Sequence, residues 1–251
     1  PADLVLSTQG RSFWILDDLS PLHQLRDRLP ARAELFRPRT AYRMRYASGF
    51  GGVESARSSP DQPQYPPAGA MVAYFLPDTA GTVSLEVVDS AGAVVRRFTS
   101  EGAGERLREP EQPGMRAPTL EAVGTPRLPK QAGLNRFVWD LSLPGPWDAN
   151  AQRSGRNGPM VLPGRYTLRL TAGGSTREQP LELRTDPRVA AEGVSEADLR
   201  EQLAHNLRVR DLVTEVNQLV ARLRQEKERL SGNGAASGQL RRLEALERAL
   251  E

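Results

Sequence analysis

LPGRYTLRLTAGGSTREQPLELRTDP, residues 162–187, reads as two β-strands joined by a tight turn. Pro163-Gly164 opens the first strand, and Tyr166, Leu168 and Leu170 then alternate with polar residues, which places all three on one face. Gly173-Gly174 supplies the backbone freedom that a hairpin turn needs. Similar strands stand upstream: MVAYFL (71–76) before Pro77-Asp78, TVSLEVVD (82–89) with Val83, Leu85 and Val87 on one face, VVRRFTS (94–100) after Ala91-Gly92, and LNRFVWDLSL (134–143). Six strands or slightly more at this spacing, in about 120 residues, predict an immunoglobulin-like β-sandwich over residues 70–188. Residues 101–133 are rich in Pro, Gly and charge and read as a long loop inserted between its strands.

Downstream of Pro187 the apolar period changes from two to about three and a half. Ser195 is an N-cap with Asp198 at the capping-box position. Val209, Leu212, Val216, Leu219, Leu223 and Leu230 then form a seam with steps of three and four, interrupted by Glu226. SGNGAASG (231–238) is a turn, and QLRRLEALERALE restarts a helix through Leu240, Leu243, Leu246 and Leu250. The expectation for residues 189–251 is an antiparallel helical hairpin whose seam is buried.

At the other end, Asp3–Thr8 and Ser12–Leu16 are apolar runs broken at Gln9-Gly10 and read as a hairpin. An isolated hairpin is marginal in water, so its sheet is expected elsewhere. SPLHQLRDRL (20–29) reads as a short helix capped by Ser20 with Pro21 at its first position, and LFRPRTAYRMRY (35–46) as a strand in its second half. Residues 47–69 are a Gly/Ser/Pro-rich linker and set the boundary between the segment 1–46 and the sandwich.

Composition narrows the function classes. The 251 residues carry 34 basic and 31 acidic side chains, interspersed, which describes a solvated surface and not a nucleic-acid footprint. Cysteine is absent, which excludes disulfides, thiolate zinc sites and a cysteine nucleophile. No apolar run approaches the ~20 residues that span a bilayer, and any export signal would have to lie upstream of Pro1.

These pieces occur in an order that resembles a known family. DLVLSTQGRSFWILDDLSPLHQL (3–25) is similar to the closing segment of bacterial sortilin-type β-propellers, proteins with neuraminidase-like repeats that are often labelled glycosyl hydrolases. An LF-P-R-AYR stretch follows in that family, matched by Leu35, Phe36, Pro38, Arg39, Ala41, Tyr42 and Arg43. The match continues through AGLNRFVWDL at 132–141, the turn from Leu162 to Tyr166, and Asp-Pro-Arg at 186–188 before a helical tail. STQGRSFW (7–14) only echoes the repeat signature Ser-x-Asp-x-Gly-x-Thr-Trp, with Gln9 in place of Asp and Gly10 one place early. The sandwich also resembles the immunoglobulin-like domain of the flagellar hook-capping protein.

The resemblance implies a mainly β chain with an α-helical tail. Residues 1–46 would hold the terminal strands of a propeller and a connection, and 70–188 an immunoglobulin or fibronectin-type-III-like sandwich. It implies a periplasmic or secreted protein, an upstream propeller as the first partner, and an accessory role in bracing that propeller and binding protein. The rival reading is a hydrolase of glycosides or peptides whose active site lies mainly in the propeller.

Residue chemistry favours the accessory role. Asp17 and Asp18 are adjacent and on a strand face opposite sides, so they do not make the glycosidase pair with carboxyls ~5 to 9.5 Å apart; they read as capping or loop residues. Trp139-Asp140 reads as a core tryptophan beside a strand-edge carboxylate. His23 and His205 are far apart and no HExxH or GxSxG pattern is present. No catalytic residue, cofactor or metal site is expected. The candidate interaction surface is Phe50, Tyr65 and Trp147, aromatics in Pro/Gly-rich segments, with Leu212 and Leu219 of the helical seam.

Overall fold

The computed structural model describes residues 3–7, 9–10, 13–25, 29–44, 68–79, 81–101, 105–108, 119–122, 126–151, 153–156, 158–231 and 242–243. Their elements, in chain order, are β1 Leu4–Ser7, β2 Phe13–Leu16, α1 Ser20–Gln24, β3 Glu34–Leu35, β4 Ala41–Arg43, β5 Ala70–Leu76, β6 Ser84–Val88 and β7 Val94–Thr99. They continue with β8 Glu105–Arg108, β9 Thr119–Ala122, β10 Gly133–Trp139, β11 Gly164–Ala172, β12 Ser175–Thr185, α2 Pro187–Ala191 and α3 Glu196–Ser231. The chain is mainly β with a long C-terminal helix.

Two sheets share one core. The smaller has the order β10-β5-β3 and the larger the order β4-β12-β11-β6-β7. Alternation decides what each contributes: Val72, Tyr74 and Leu76 from β5 and Phe137 and Trp139 from β10 meet Leu85 and Val87 from β6, Phe98 from β7, and Leu168 and Leu170 from β11. Phe98 and Phe137 are 4.7 Å apart between ring centroids, and Trp139 lies edge-on to Tyr166 at 5.8 Å, so both contacts cross from one sheet to the other.

The linker position does not separate two folding units. β3 pairs with β5 and β4 runs parallel to β12, with Ala41 opposite Leu183. Strands on the N-terminal side of the boundary drawn at 47–69 are thus hydrogen-bonded to strands on its C-terminal side, and Leu35 and Ala41 are part of the common core. Pro180 sits in the half of β12 that β4 does not reach, the edge position to which proline is confined in sheets.

The corner after β10 is fixed by side-chain hydrogen bonds. Trp139 is fully buried, and its indole N–H donates to the Ser142 carbonyl at 3.0 Å. Leu141 takes φ of 62°, and the Asp140 carboxylate accepts from the Ser142 N–H (3.1 Å) and hydroxyl (2.6 Å). At the start of β11 the Tyr166 hydroxyl donates to the Leu162 carbonyl at 2.7 Å. Burial, with the Asp89 charge adding to it, pushes the Tyr166 phenol up to about 12.

Three sequence expectations change. Ser20 is the first residue of α1 and not its cap; Leu19 holds the cap position without a side-chain hydrogen bond. The stretch 101–133 contains a ladder, β8 paired with β9, as well as β10's first residue. Asp-Pro-Arg opens a helix, α2, with the Asp186 carboxylate accepting from the Arg188 N–H at 2.9 Å. Residues 47–67 of the linker at 47–69, and the second helix of the hairpin except Arg242 and Leu243, lie outside the described residues.

Candidate functional site

The N-terminal hairpin is the first candidate. β1 and β2 pair with Leu4 opposite Leu16, Val5 opposite Ile15, Leu6 opposite Trp14 and Ser7 opposite Phe13. Successive residues of a strand point to opposite faces, yet all seven apolar residues are exposed, Phe13 by 72% and Ile15 by 61%. Both faces of the ribbon are therefore apolar and bare. Its root is held firmly: the Asp3 carboxylate accepts from the Asp18 N–H (2.9 Å) and Arg39 (3.1 Å), and Arg136 donates to the carbonyls of Asp17 and Asp18. Asp18, buried at φ of 57°, turns the chain from the ribbon into α1, and its carboxylate accepts from the Ser20 N–H.

The helix α3 is the second candidate. Its start is a reciprocal capping box: the Ser195 hydroxyl accepts from the Asp198 N–H, and the Asp198 carboxylate accepts from the Ser195 N–H at 2.8 Å. The Ser195 hydroxyl also donates to the Asp198 carboxylate at 2.6 Å, and this bond, with that from the Ser195 N–H, holds the Asp198 carboxyl below its usual range. Leu199 is buried and Leu203 and Leu207 are half-buried, which marks the covered face of the helix. Further along, the Trp147 N–H donates to the Thr214 hydroxyl (3.1 Å), and the Asn217 amide donates to the Trp147 carbonyl (2.8 Å). The loop that brings Trp147 there is narrow. A Cβ on Gly145 would stand 1.6 Å from the Arg156 carbonyl oxygen, and one on Gly158 would stand 1.8 Å from that of Leu143.

The face that docks is not the expected one. Val209, Leu212, Val213 and Leu219 are exposed, Leu212 by 60%, while Val216 and Leu223 are half-buried. Among the described residues the seam predicted to be buried is open at Val209, Leu212 and Leu219 and half-buried at Val216, Leu223 and Leu230; most of the second helix expected to cover it lies outside the described residues. Sequence pattern alone favoured it because its apolar residues are more numerous; the row Leu199, Leu203, Leu207, continued by Thr214 and Asn217, wins because polar partners on the Trp147 loop meet it. That row, with steps of four, was the available signal.

A third candidate is a cleft of about 520 Å³ where β4, α2 and α3 meet, lined by Arg43, Asp186, Arg188, Glu192, Gln202 and Asn206. Two of its charges, Arg188 and Asp186, are engaged with each other. Arg188 donates to both oxygens of Asp186, at 3.1 and 2.7 Å, and this contact holds the Asp186 carboxyl below its usual range. Arg43 donates to the Val161 carbonyl and to Gln202. The cleft is a joint that fastens α3 to the sheets.

The remaining sequence candidates are dispersed. Phe50 and Tyr65 lie outside the described residues. Trp147 is 38% exposed and fixed to α3 through its backbone, and Leu212 and Leu219 share the open stripe. His23 and His205 are both exposed, on α1 and α3. Among the described residues no three His, Asp or Glu are gathered as a metal site, and no helix is long and apolar enough to cross a membrane. On the larger sheet Glu86 bonds Arg97 and Arg169, and Arg169 also bonds Glu178, so these arginines are spent on carboxylates. Searches against known protein families, curated proteins and solved structures give no match.

Proposed function

We propose that this chain is the C-terminal accessory and interaction region of a secreted or periplasmic sortilin-type β-propeller protein, without a catalytic centre of its own. The observation that carries the reading is the β1–β2 ribbon, apolar and bare on both faces and braced at its root. A strand pair of that kind belongs in a sheet covered on both sides, as a propeller blade is by its neighbours. The two sheets behind it act as the brace. An immunoglobulin-like assignment for them is supported by the buried Trp139 and by the Tyr166 hydroxyl bonded back to Leu162, features found in that class of sandwich. The best-placed carboxylates are already used for structure: Asp18 and Asp140 close turns, and Asp186 caps α2.

Hydrogen exchange of the β1 and β2 amides tests the proposal, measured on residues 1–251 alone and on the natural chain with its upstream sequence. Fast exchange in the first and strong protection in the second is expected. Equal exchange in both overturns the docking of the ribbon into a blade.

A further inference from the structure

We infer that the open stripe of α3 pairs antiparallel with the same stripe of a second copy, with Leu212 against the partner's Leu223 and Val216 against the partner's Leu219. The inference rests on the accessory reading, in which α3 is an association surface, and names what associates with it.

Three observations converge on this occupant. First, the stripe is separate from the docked face. At 100° per residue its centre lies ~130° around the helix from the row of Leu199, Leu203 and Asn217, so neither the sheets nor the Trp147 loop stands in its way.

Second, the charges along α3 are polarised. Residues 196–215 carry five acidic and three basic side chains, and residues 216–231 carry two acidic and four basic. Two copies side by side gain from this only when they run in opposite directions.

Third, the flanks of the stripe select a register. With Leu212 against the partner's Leu223, Glu215 falls opposite the partner's Arg222, twice by symmetry. Both residues are exposed, and neither has an ion pair among the described residues. On the other flank Val213 falls opposite the partner's Val220. Sliding the pair by one heptad toward the N-terminus puts Glu215 against the partner's Glu215 and Arg208 against the partner's Arg222. Parallel pairing puts Arg222 against the partner's Lys227. Each alternative sets like charges together; the proposed register sets opposite ones together, the pair Arg200–Glu196 lies outside the contact, and Glu226, which interrupts the seam, falls opposite the partner's Val209 at the end of the contact while paired with Arg229.

The test is analytical ultracentrifugation of residues 1–251 over a concentration series reaching the high micromolar range. A reversible dimer is expected, and Leu212→Glu with Leu219→Glu should abolish it while circular dichroism keeps its helical signal. Glu215→Arg should weaken the dimer on the order of tenfold, because two attractions become two repulsions. Arg222→Glu should do the same, and the double exchange should restore the affinity. A monomer at every concentration, as expected if residues 239–251 fold back over the stripe, overturns the inference. A dimer indifferent to the charge exchanges, or one not rescued by the double exchange, overturns it too. Hydrogen exchange in the β1–β2 ribbon reads the accessory function without involving α3, so the two proposals fail separately.

Discussion

Two hairpins of this chain have similar local patterns and opposite fates. β11–β12 presents Tyr166, Leu168, Leu170, Leu181 and Leu183 to the core and its charged residues to the other side. β1–β2 presents apolar residues to both sides and buries none of them. A strand pair with one apolar face is complete once a second sheet covers it, whereas one with two apolar faces needs layers above and below. The first hairpin therefore belongs to a finished unit, and the second is, on the proposed reading, the part that docks into an upstream blade.

If that contrast is right, the largest effect should come from the finished unit. Trp139→Ala removes a fully buried ring that touches Tyr166 across the core and donates to Ser142. The expected loss is about 3 to 5 kcal/mol of unfolding free energy, read from denaturant midpoints with an unchanged slope. A loss under about 1 kcal/mol would mean that the core collapses onto the gap and that the two sheets are not held by this contact.

Tyr166→Phe should sharpen the comparison through pH. The phenol is raised to about 12 in the folded chain by burial, against about 10 in the unfolded chain. Its share of stability is fully present below pH about 10 and is lost as the pH rises towards 12, because the unfolded state ionises first. Removing the hydroxyl should cost about 1 to 3 kcal/mol at neutral pH, since the Leu162 carbonyl loses its donor. It should also flatten the alkaline decline in denaturation curves. Tyr74, raised for the same reason and bonded to the Pro129 carbonyl, keeps the rest of that decline.

The sequence made one of the two hairpins readable in full. Tyr166, Leu168 and Leu170, like Val83, Leu85 and Val87, announce their burial by alternation, because each has one face in and one face out. The capping box at Ser195 and Asp198 is equally local. What escaped depends on distant partners. Glu34–Leu35 is too short to show a period and is a strand only because Tyr74 and Phe75 lie beside it. β4 was legible as a strand, but its parallel partner, more than a hundred residues away, was not. In α3 two apolar rows compete, and the bonds that the Trp147 backbone makes, its N–H donating to the Thr214 hydroxyl and its carbonyl accepting from the Asn217 amide, select between them. Asn217→Ala should accordingly cost about 0.5 to 1.5 kcal/mol, with faster amide exchange in residues 145–156. An unchanged loop would show that the helix is held by Leu199 and its neighbours alone.

The smallest expected effect tests the comparison most directly. Phe13 and Ile15 are larger and more apolar than most residues of β11, and by composition alone their replacement should be costly. Burial sets the cost instead: a side chain that stays in water in the folded state has little transfer free energy to lose. In residues 1–251, Phe13→Ser with Ile15→Ser should change the unfolding free energy by no more than about 0.5 kcal/mol, whereas Leu168→Ala, fully buried on β11, should cost about 2 to 5 kcal/mol. If the ribbon docks into an upstream blade as proposed, the same pair of serines placed in the natural chain should expose the ribbon amides to exchange, because both faces lose their cover together. A loss above about 1 kcal/mol in residues 1–251 would place the ribbon inside the finished unit, and the difference between the two hairpins would disappear.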